Sequence, residues 1–150
     1  AGEKYDAAYN LVQNSDLAPE IKDNNHRNHY YNMARVALYS GAIDEAITKA
    51  AEFKAAVEEI KAPLQIKLAH QLLGMIALEV KDWETALTEL KQSATDFNPF
   101  NFYRMGLAYQ GLGDIEKARH YFEKAAYFNG LGGLNYAFCR TKALEKLAGM

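Results

Sequence analysis

Apolar residues recur three and four positions apart along most of the chain, which is the spacing of one face of an α-helix. The alternating runs of Val, Ile and Thr that are typical of half-buried strands do not occur in it. Each of its three prolines stands where a helical pattern begins, a position at which the missing N–H has no consequence. The pattern predicts eight helices, at about residues 2–14, 19–40, 42–60, 63–80, 83–96, 99–112, 115–128 and 132–147.

One arrangement of small and large residues occurs three times. Its clearest copy runs from Phe102 to Ala125, with a turn at Gly113 and Asp114 between two predicted helices. Gly113 permits the left-handed backbone that ends a helix, and Asp114 can cap the next one. A small residue of each first helix is expected to face a small residue of the second, because such crossings let helix axes approach closely. The expected pairs are Ala34 with Ala46, Gly74 with Ala86, and Gly106 with Ala118.

These residues resemble the tetratricopeptide repeat, a helix–turn–helix unit of about 34 residues. The third copy shows the resemblance most fully, through Phe102, Met105, Gly106, Tyr109, Gly113, Ala118, Phe122 and Ala125. The resemblance implies an all-α chain, an α-α superhelix of stacked antiparallel helix hairpins with about eight helices. It predicts a single array over residues 1–150, with a half repeat at 2–19, repeats at about 27–62, 67–98 and 99–130, and a C-terminal capping helix at 132–147.

The two ends of the chain differ from the three copies. In the last predicted helix, Tyr136, Cys139 and Ala143 share one face, and Arg140 stands where the copies carry a small residue. A bulky charge there would obstruct a further partner helix, so we interpret this helix as the cap of the stack. The first helix resembles the second half of a repeat whose first half is missing, which favours an excised piece of a longer protein.

Charge and composition narrow the function classes. The 17 basic and 19 acidic residues give a net charge of −2, so no global field attracts nucleic acid or acidic lipid. No apolar stretch approaches the ~20 residues of a membrane span, and we expect neither nucleic-acid nor membrane binding. The chain begins at Ala1 rather than Met, which leaves open a processed product or an excised piece without its targeting segment. The cytoplasm is slightly favoured as its location.

The residues that could carry chemistry do not assemble into a site. His26 and His29 lie three residues apart, but no cysteine or acidic cluster with ligand spacing accompanies them. We interpret them as polar residues on the exposed beginning of a helix. Cys139, the single cysteine, has no histidine in its own helix to act as a base, and we expect it to be buried. Because nucleophile, base and orienting group do not occur together, we predict a non-enzyme without cofactor or metal.

The resemblance implies a binding function. The first helices of stacked hairpins line a concave groove that, by resemblance, holds an extended peptide or a partner helix. The residues expected on the groove are those that do not face their own hairpin partner: Asn28, Tyr31, Asn32, Arg35, Gln71, Leu72, Met75, Tyr103, Arg104 and Leu107. Tyr, Arg and Met are typical of recognition surfaces. Leu72, Met75 and Leu107 fit the core between repeats equally well. The predicted function is a non-catalytic protein–protein interaction scaffold.

The sequence also bears on the kind of partner and on an alternative function. Family members that bind the acidic C-terminal tails of chaperones use a clamp of lysines, asparagines and an arginine. Only Asn32 and Arg104 stand at matching places, which argues against a chaperone tail. The alternative function is a structural or oligomerisation segment of a larger multi-repeat protein, with the N-terminal helix as the contact surface. A homodimer through that helix would bury Tyr5, Ala8, Tyr9 and Val12.

Overall fold

The computed structural model describes residues 2–93, 98–130 and 136–150. Within these ranges the chain forms eight α-helices and no strand, with adjacent helices packed in pairs, so the predicted all-α repeat class is confirmed. The helices are α1 (Gly2–Gln13), α2 (Pro19–Ser40), α3 (Ile43–Glu59), α4 (Pro63–Glu79), α5 (Trp83–Gln92), α6 (Pro99–Gly111), α7 (Ile115–Ala126) and α8 (Tyr136–Ala148). None of these eight is both long and apolar enough to cross a bilayer. The predicted helical residues 94–96 and 132–135 lie outside the described ranges.

Side-chain caps fix the beginnings of three helices. The carboxylates of Asp82 and Asp114 each accept a 3.1 Å hydrogen bond from the backbone N–H three residues further on, at the start of α5 and α7. The side chain of Asn98 accepts two backbone N–H bonds at the start of α6. Each cap satisfies donors that a helix end leaves open and contributes about 1 kcal/mol to stability. The predicted cap at Asp114 is therefore confirmed.

The turns within the three copies share one geometry. The backbone N–H groups of Ala42, Asp82 and Asp114 each donate to the carbonyl five residues earlier, at 2.9–3.0 Å. This bond closes the end of the first helix, and the residue directly before the N–H donor has a left-handed backbone conformation. Gly113, with φ of 78°, takes that conformation as predicted. The second copy has no glycine there, and Lys81 adopts φ of 61° despite its Cβ. The flanking helices and the Asp82 cap therefore hold this turn although it lacks a glycine.

The chain divides into two compact units, Ala1–Leu72 and Leu73–Met150. In the first unit, α1 packs on α2 and α2 packs on α3. Ala34 and Ala46 are fully buried, in agreement with the small-residue crossing predicted for this copy. Phe53 and Val57 of α3 are fully buried as well.

The second unit contains two apolar clusters. One joins residues of α4, α5, α6 and α7 around Leu90 and Phe122. The other joins α6, α7 and α8 around Phe102 and Cys139. Because α8 packs on both α6 and α7, the last helix covers apolar surface that the preceding hairpin leaves open. The division of the whole chain into a half repeat, three repeats and a cap stays a prediction.

Large side chains lie nearest to the two glycines of the second unit. Ala118 is fully buried, but a Cβ added to Gly106 would lie 2.6 Å from the ring of Phe122. Likewise, a Cβ on Gly74 would lie 2.7 Å from Cγ of Leu90. Each glycine therefore makes room for a large side chain one helical turn beyond the expected alanine. The predicted pairings of Gly74 with Ala86 and of Gly106 with Ala118 stay predictions, and the atoms nearest to each glycine belong to the large side chain.

Candidate functional site

The second unit contains an open cleft of about 320 Å³. Four helices contribute to its lining, which brings together apolar, polar and charged side chains. The lining residues are Leu78 and Glu79 from α4, Trp83 from α5, Leu107, Gln110 and Gly111 from α6, and Lys146 from α8. This volume is at the lower end of the range for binding pockets.

The approach of Trp83 to Gly111 shapes this cleft. A Cβ built on Gly111 would overlap the indole ring of Trp83, so only glycine leaves room for the ring at this point of α6. Trp83 is the first residue of α5, whose start is fixed by the Asp82 cap. The ring is half-buried and keeps part of its surface on the cleft. A partly exposed tryptophan is the side-chain type most often found at the centre of protein interfaces.

Two opposite charges belong to the lining. Glu79 lies at the end of α4 and is exposed, and Lys146 lies in the last turn of α8 and is half-buried. In the part of the chain that the structure describes, neither side chain takes part in an ion pair. The Lys146 ammonium is favourably placed at a helix C-terminus, where the backbone carbonyls carry partial negative charge. The cleft therefore offers one anionic and one cationic group to a ligand.

The predicted groove residues of the second unit lie in different environments. Leu107 is half-buried and lines the cleft. Met75 is only 7% exposed and belongs to the core. Tyr103 is half-buried against Phe122, with ring centroids 5.6 Å apart, and burial raises the pKa of its hydroxyl. Of these three, Leu107 is the one that lines the cleft.

Arg104 is held by a buried polar network that sequence reasoning missed. Its guanidinium donates a 2.8 Å hydrogen bond to Oδ1 of Asn101, which is fully buried. The Asn101 amide in turn donates to the hydroxyl of Ser93 at 3.0 Å. The signal was present at Ser93, because the corresponding positions of the other copies are apolar, at Phe53 and Ala125. A hydroxyl in an apolar position of a packed core requires a hydrogen-bonding partner.

The predicted residues of the first unit form local contacts. The guanidinium of Arg35 lies 5.5 Å from the ring centre of Tyr31, a cation–π arrangement that leaves both side chains partly exposed. Asn28 accepts a 3.3 Å hydrogen bond from Gln65. Leu72 is fully buried, so it packs in the core.

Asn32 and Gln71 complete the predicted set in the first unit. Both side chains are partly exposed. They therefore retain surface that a ligand could contact, whereas Leu72 and Met75 do not. We leave those two residues out of the site.

The two histidines of α2 lie in different environments, since His26 is exposed as predicted and His29 is partly buried. The ring of Tyr9 from α1 stacks on His29 with centroids 4.3 Å apart, and its hydroxyl lies 2.8 Å from Nδ1 of His26. Nε2 of His29 lies 3.4 Å from a carboxylate oxygen of Asp6. The interpretation of His29 as an exposed residue was wrong, because α1 covers this part of α2. Tyr9 is likewise engaged within the chain and is not free to form the predicted dimer face.

Cys139 lies in the core of the second unit, as predicted. It is 3% exposed, and its thiol donates a hydrogen bond of 3.4 Å to the carbonyl of Pro99. Burial raises the pKa of this thiol, so the nucleophilic thiolate is disfavoured. Among the described residues, histidine, cysteine and acidic side chains do not form a group of three that could hold a metal ion.

Comparison with known proteins identifies one segment of the chain. A family model of the tetratricopeptide repeat matches residues 99–129, which contain α6, the turn at Gly113 and α7. No curated protein and no solved structure matches the chain. The matched segment has the paired helices, the left-handed turn residue and the buried Ala118 and Phe122 expected of such a repeat. Residues 99–129 therefore match the tetratricopeptide repeat, with α6 and α7 as its two paired helices.

Proposed function

We propose that this chain is a non-catalytic scaffold that binds an extended peptide segment of another protein in the cleft of the second unit. Tetratricopeptide repeats generally serve as non-enzymatic scaffolds for protein–protein interactions. The observation that carries the finer proposal is the cleft itself, whose floor contains Leu107 and Gln110 of the matched repeat. The half-buried Trp83 beside them supplies apolar contact area at a small cost in side-chain entropy.

The other predicted residues have two different roles in this proposal. Tyr103 positions α6 through its contact with Phe122 of α7. Arg104 holds the side chain of Asn101, whose amide bonds Ser93 outside α6, so both residues act on the ligand through the placement of that helix. The partly exposed residues of the first unit remain proposed contacts for a partner on that unit. They are Asn28, Tyr31, Asn32, Arg35 and Gln71.

The test is a selection of peptides from a random display library on the immobilised chain. Selected peptides should bind the wild type and lose at least tenfold in affinity for Gln110→Arg, which fills the cleft without removing an apolar core contact. Leu107→Arg should have a similar effect. The matched control is Leu144→Arg, the same substitution at a leucine of α8 that is 37% exposed and outside the cleft lining. Circular dichroism establishes that all variants are folded. Peptides that bind the three variants equally well would place binding outside the cleft.

A further inference from the structure

The charges of the cleft define the chemistry of its ligand. Glu79 and Lys146 reach the lining from different helices, and the rest of the lining consists of Leu78, Trp83, Leu107, Gln110 and Gly111. An apolar ligand group alone would leave one acidic and one basic side chain partly desolvated and unpaired, which is unfavourable. A ligand group of a single charge would be attracted to one of them and repelled by the other.

We infer that the cleft recognises a dipolar peptide segment, in which an apolar residue is flanked by one acidic and one basic residue. This inference rests on the proposed function and names the chemistry of its partner. The apolar side chain contacts Trp83 and Leu107, the acidic residue pairs with Lys146, and the basic residue pairs with Glu79. The side-chain amide of Gln110 can donate a hydrogen bond to a backbone carbonyl of the bound segment, or accept one from a backbone N–H.

The size of the cleft favours an extended segment over a helix. A helix with its side chains is about 10–12 Å across, too wide to enter a cleft of about 320 Å³. In an extended chain, alternate side chains project from the same side at intervals of about 6.6–6.8 Å. The flanking charges therefore belong two residues before and two residues after the apolar residue. The predicted pattern is acidic–any–apolar–any–basic, or its reverse.

The test uses three blocked pentapeptides. They are acetyl-Glu-Ala-Leu-Ala-Lys-amide, its doubly acidic analogue with Glu at both ends, and its doubly basic analogue with Lys at both ends. Trp83 is the only tryptophan of the chain, so its fluorescence reports on the cleft alone. Each lost or repelled ion pair should weaken binding by about two- to fivefold, the range for partly exposed pairs. The dipolar peptide should therefore bind the wild type more tightly than either analogue.

Charge reversal provides the sharper comparison. Lys146→Glu gives the cleft two acidic groups, and this variant should prefer the doubly basic peptide. Glu79→Lys should prefer the doubly acidic peptide, so that the ratio of affinities changes by about tenfold in opposite directions for the two variants. Lys142→Glu is the matched control, because Lys142 is exposed on α8 and does not line the cleft. It should keep the wild-type preference.

The outcomes separate this inference from the proposed function. Equal affinity of the wild type for the three peptides, and again with the reversed dipolar peptide acetyl-Lys-Ala-Leu-Ala-Glu-amide in place of the first, would overturn the dipolar inference and leave peptide binding in the cleft intact. The same holds if the charge reversals leave the order of preference unchanged. If no peptide alters Trp83 fluorescence at millimolar concentration, the inference is overturned. The display selection with Gln110→Arg then decides separately whether the cleft binds peptides at all.

Discussion

Gly106 shows how strongly the packing of α6 on α7 depends on one missing methyl group. A Cβ at this position would lie 2.6 Å from two atoms of the Phe122 ring, well inside ordinary contact distance. Phe122 is fully buried among neighbours from α5, α6 and α7, so its ring has little room to move. The glycine therefore fixes both the distance between the two helices and the position of α6 beneath the cleft.

We expect Gly106→Ala to destabilise the chain by about 1–2 kcal/mol. Overpacking of a core typically lowers the free energy of unfolding by about 1–3 kcal/mol, and the gain in helix propensity of up to about 1 kcal/mol offsets part of it. Urea denaturation measures the difference. Gly2→Ala is the matched control, because its Cβ would meet Val36 and Met33 at 3.7 and 3.9 Å, ordinary contact distances. Equal stability of the two variants would contradict the role assigned to Phe122.

Ser93 and Asn101 provide a second prediction at this scale. Ser93→Ala removes the acceptor of the Asn101 amide in a site where Ser93 is 6% exposed and Asn101 fully buried. Weakening the pairing of a buried polar group costs about 1–3 kcal/mol, so the variant should be less stable than the wild type by an amount in this range. Thermal unfolding followed by circular dichroism provides the measurement. Thr88→Ala, on the exposed face of α5, is the control and should change stability little. A Ser93→Ala variant as stable as the wild type would show that the hydroxyl is dispensable.

At the scale of helices, the contact between α1 and α2 includes a titratable side chain, His29. Desolvation lowers the pKa of His29, whereas Asp6 acts to raise it and His26 and Lys49 act to lower it further. The folded chain favours the neutral imidazole of His29 more than the unfolded chain does. The unfolded state therefore binds more protons at pH values between the lowered pKa of the folded chain and the ordinary pKa. The stability that the contact contributes is therefore present above the ordinary pKa of about 6.5 and is lost as the pH falls below it.

We accordingly predict that α1 loosens on α2 as the pH falls below about 6.5, which should appear as faster amide exchange in α1. Asp6→Asn removes the group that raises the pKa of His29, so an NMR titration should place that pKa lower than in the wild type. His29→Gln should abolish most of the pH dependence of exchange. The prediction fails if the exchange rates of α1, corrected for the intrinsic effect of pH, remain constant in the wild type as the pH falls.

Helices and turns were predictable from the sequence, but the cleft was not. Pro99, Gly113 and Asp114 mark the start of α6, the turn and the start of α7 within one hairpin. The local sequence pattern was therefore sufficient to predict these two helices and the turn between them. Lys81 adopts a left-handed conformation that its own chemistry disfavours, and only the packing of its neighbours determines it. The cleft depends on where α4, α5 and α8 meet α6, which no local pattern specifies. The contact between Trp83 and Gly111 therefore could not be inferred from their residue types.

At the scale of the whole molecule, the division into two compact units determines where a bound peptide should exert its effect. The cleft is lined entirely by residues of the unit Leu73–Met150, and its floor is part of α6. A ligand that binds only the folded form stabilises the part of the structure whose unfolding would destroy the binding site. Because each unit has buried apolar residues of its own, we expect the stabilisation to be confined to the second unit.

The corresponding measurement is hydrogen exchange with and without a peptide from the display selection. At a free concentration of about 100 times its Kd, the peptide should stabilise the unit by about 2.7 kcal/mol and slow the most protected amides of α6 by about a hundredfold. Amides of α2 should exchange at the same rate in both samples, and Gln110→Arg should show no slowing anywhere. Equal slowing in α2 and α6 would instead mean that the two units open as one, because a ligand in the cleft can protect α2 only if both unfold together.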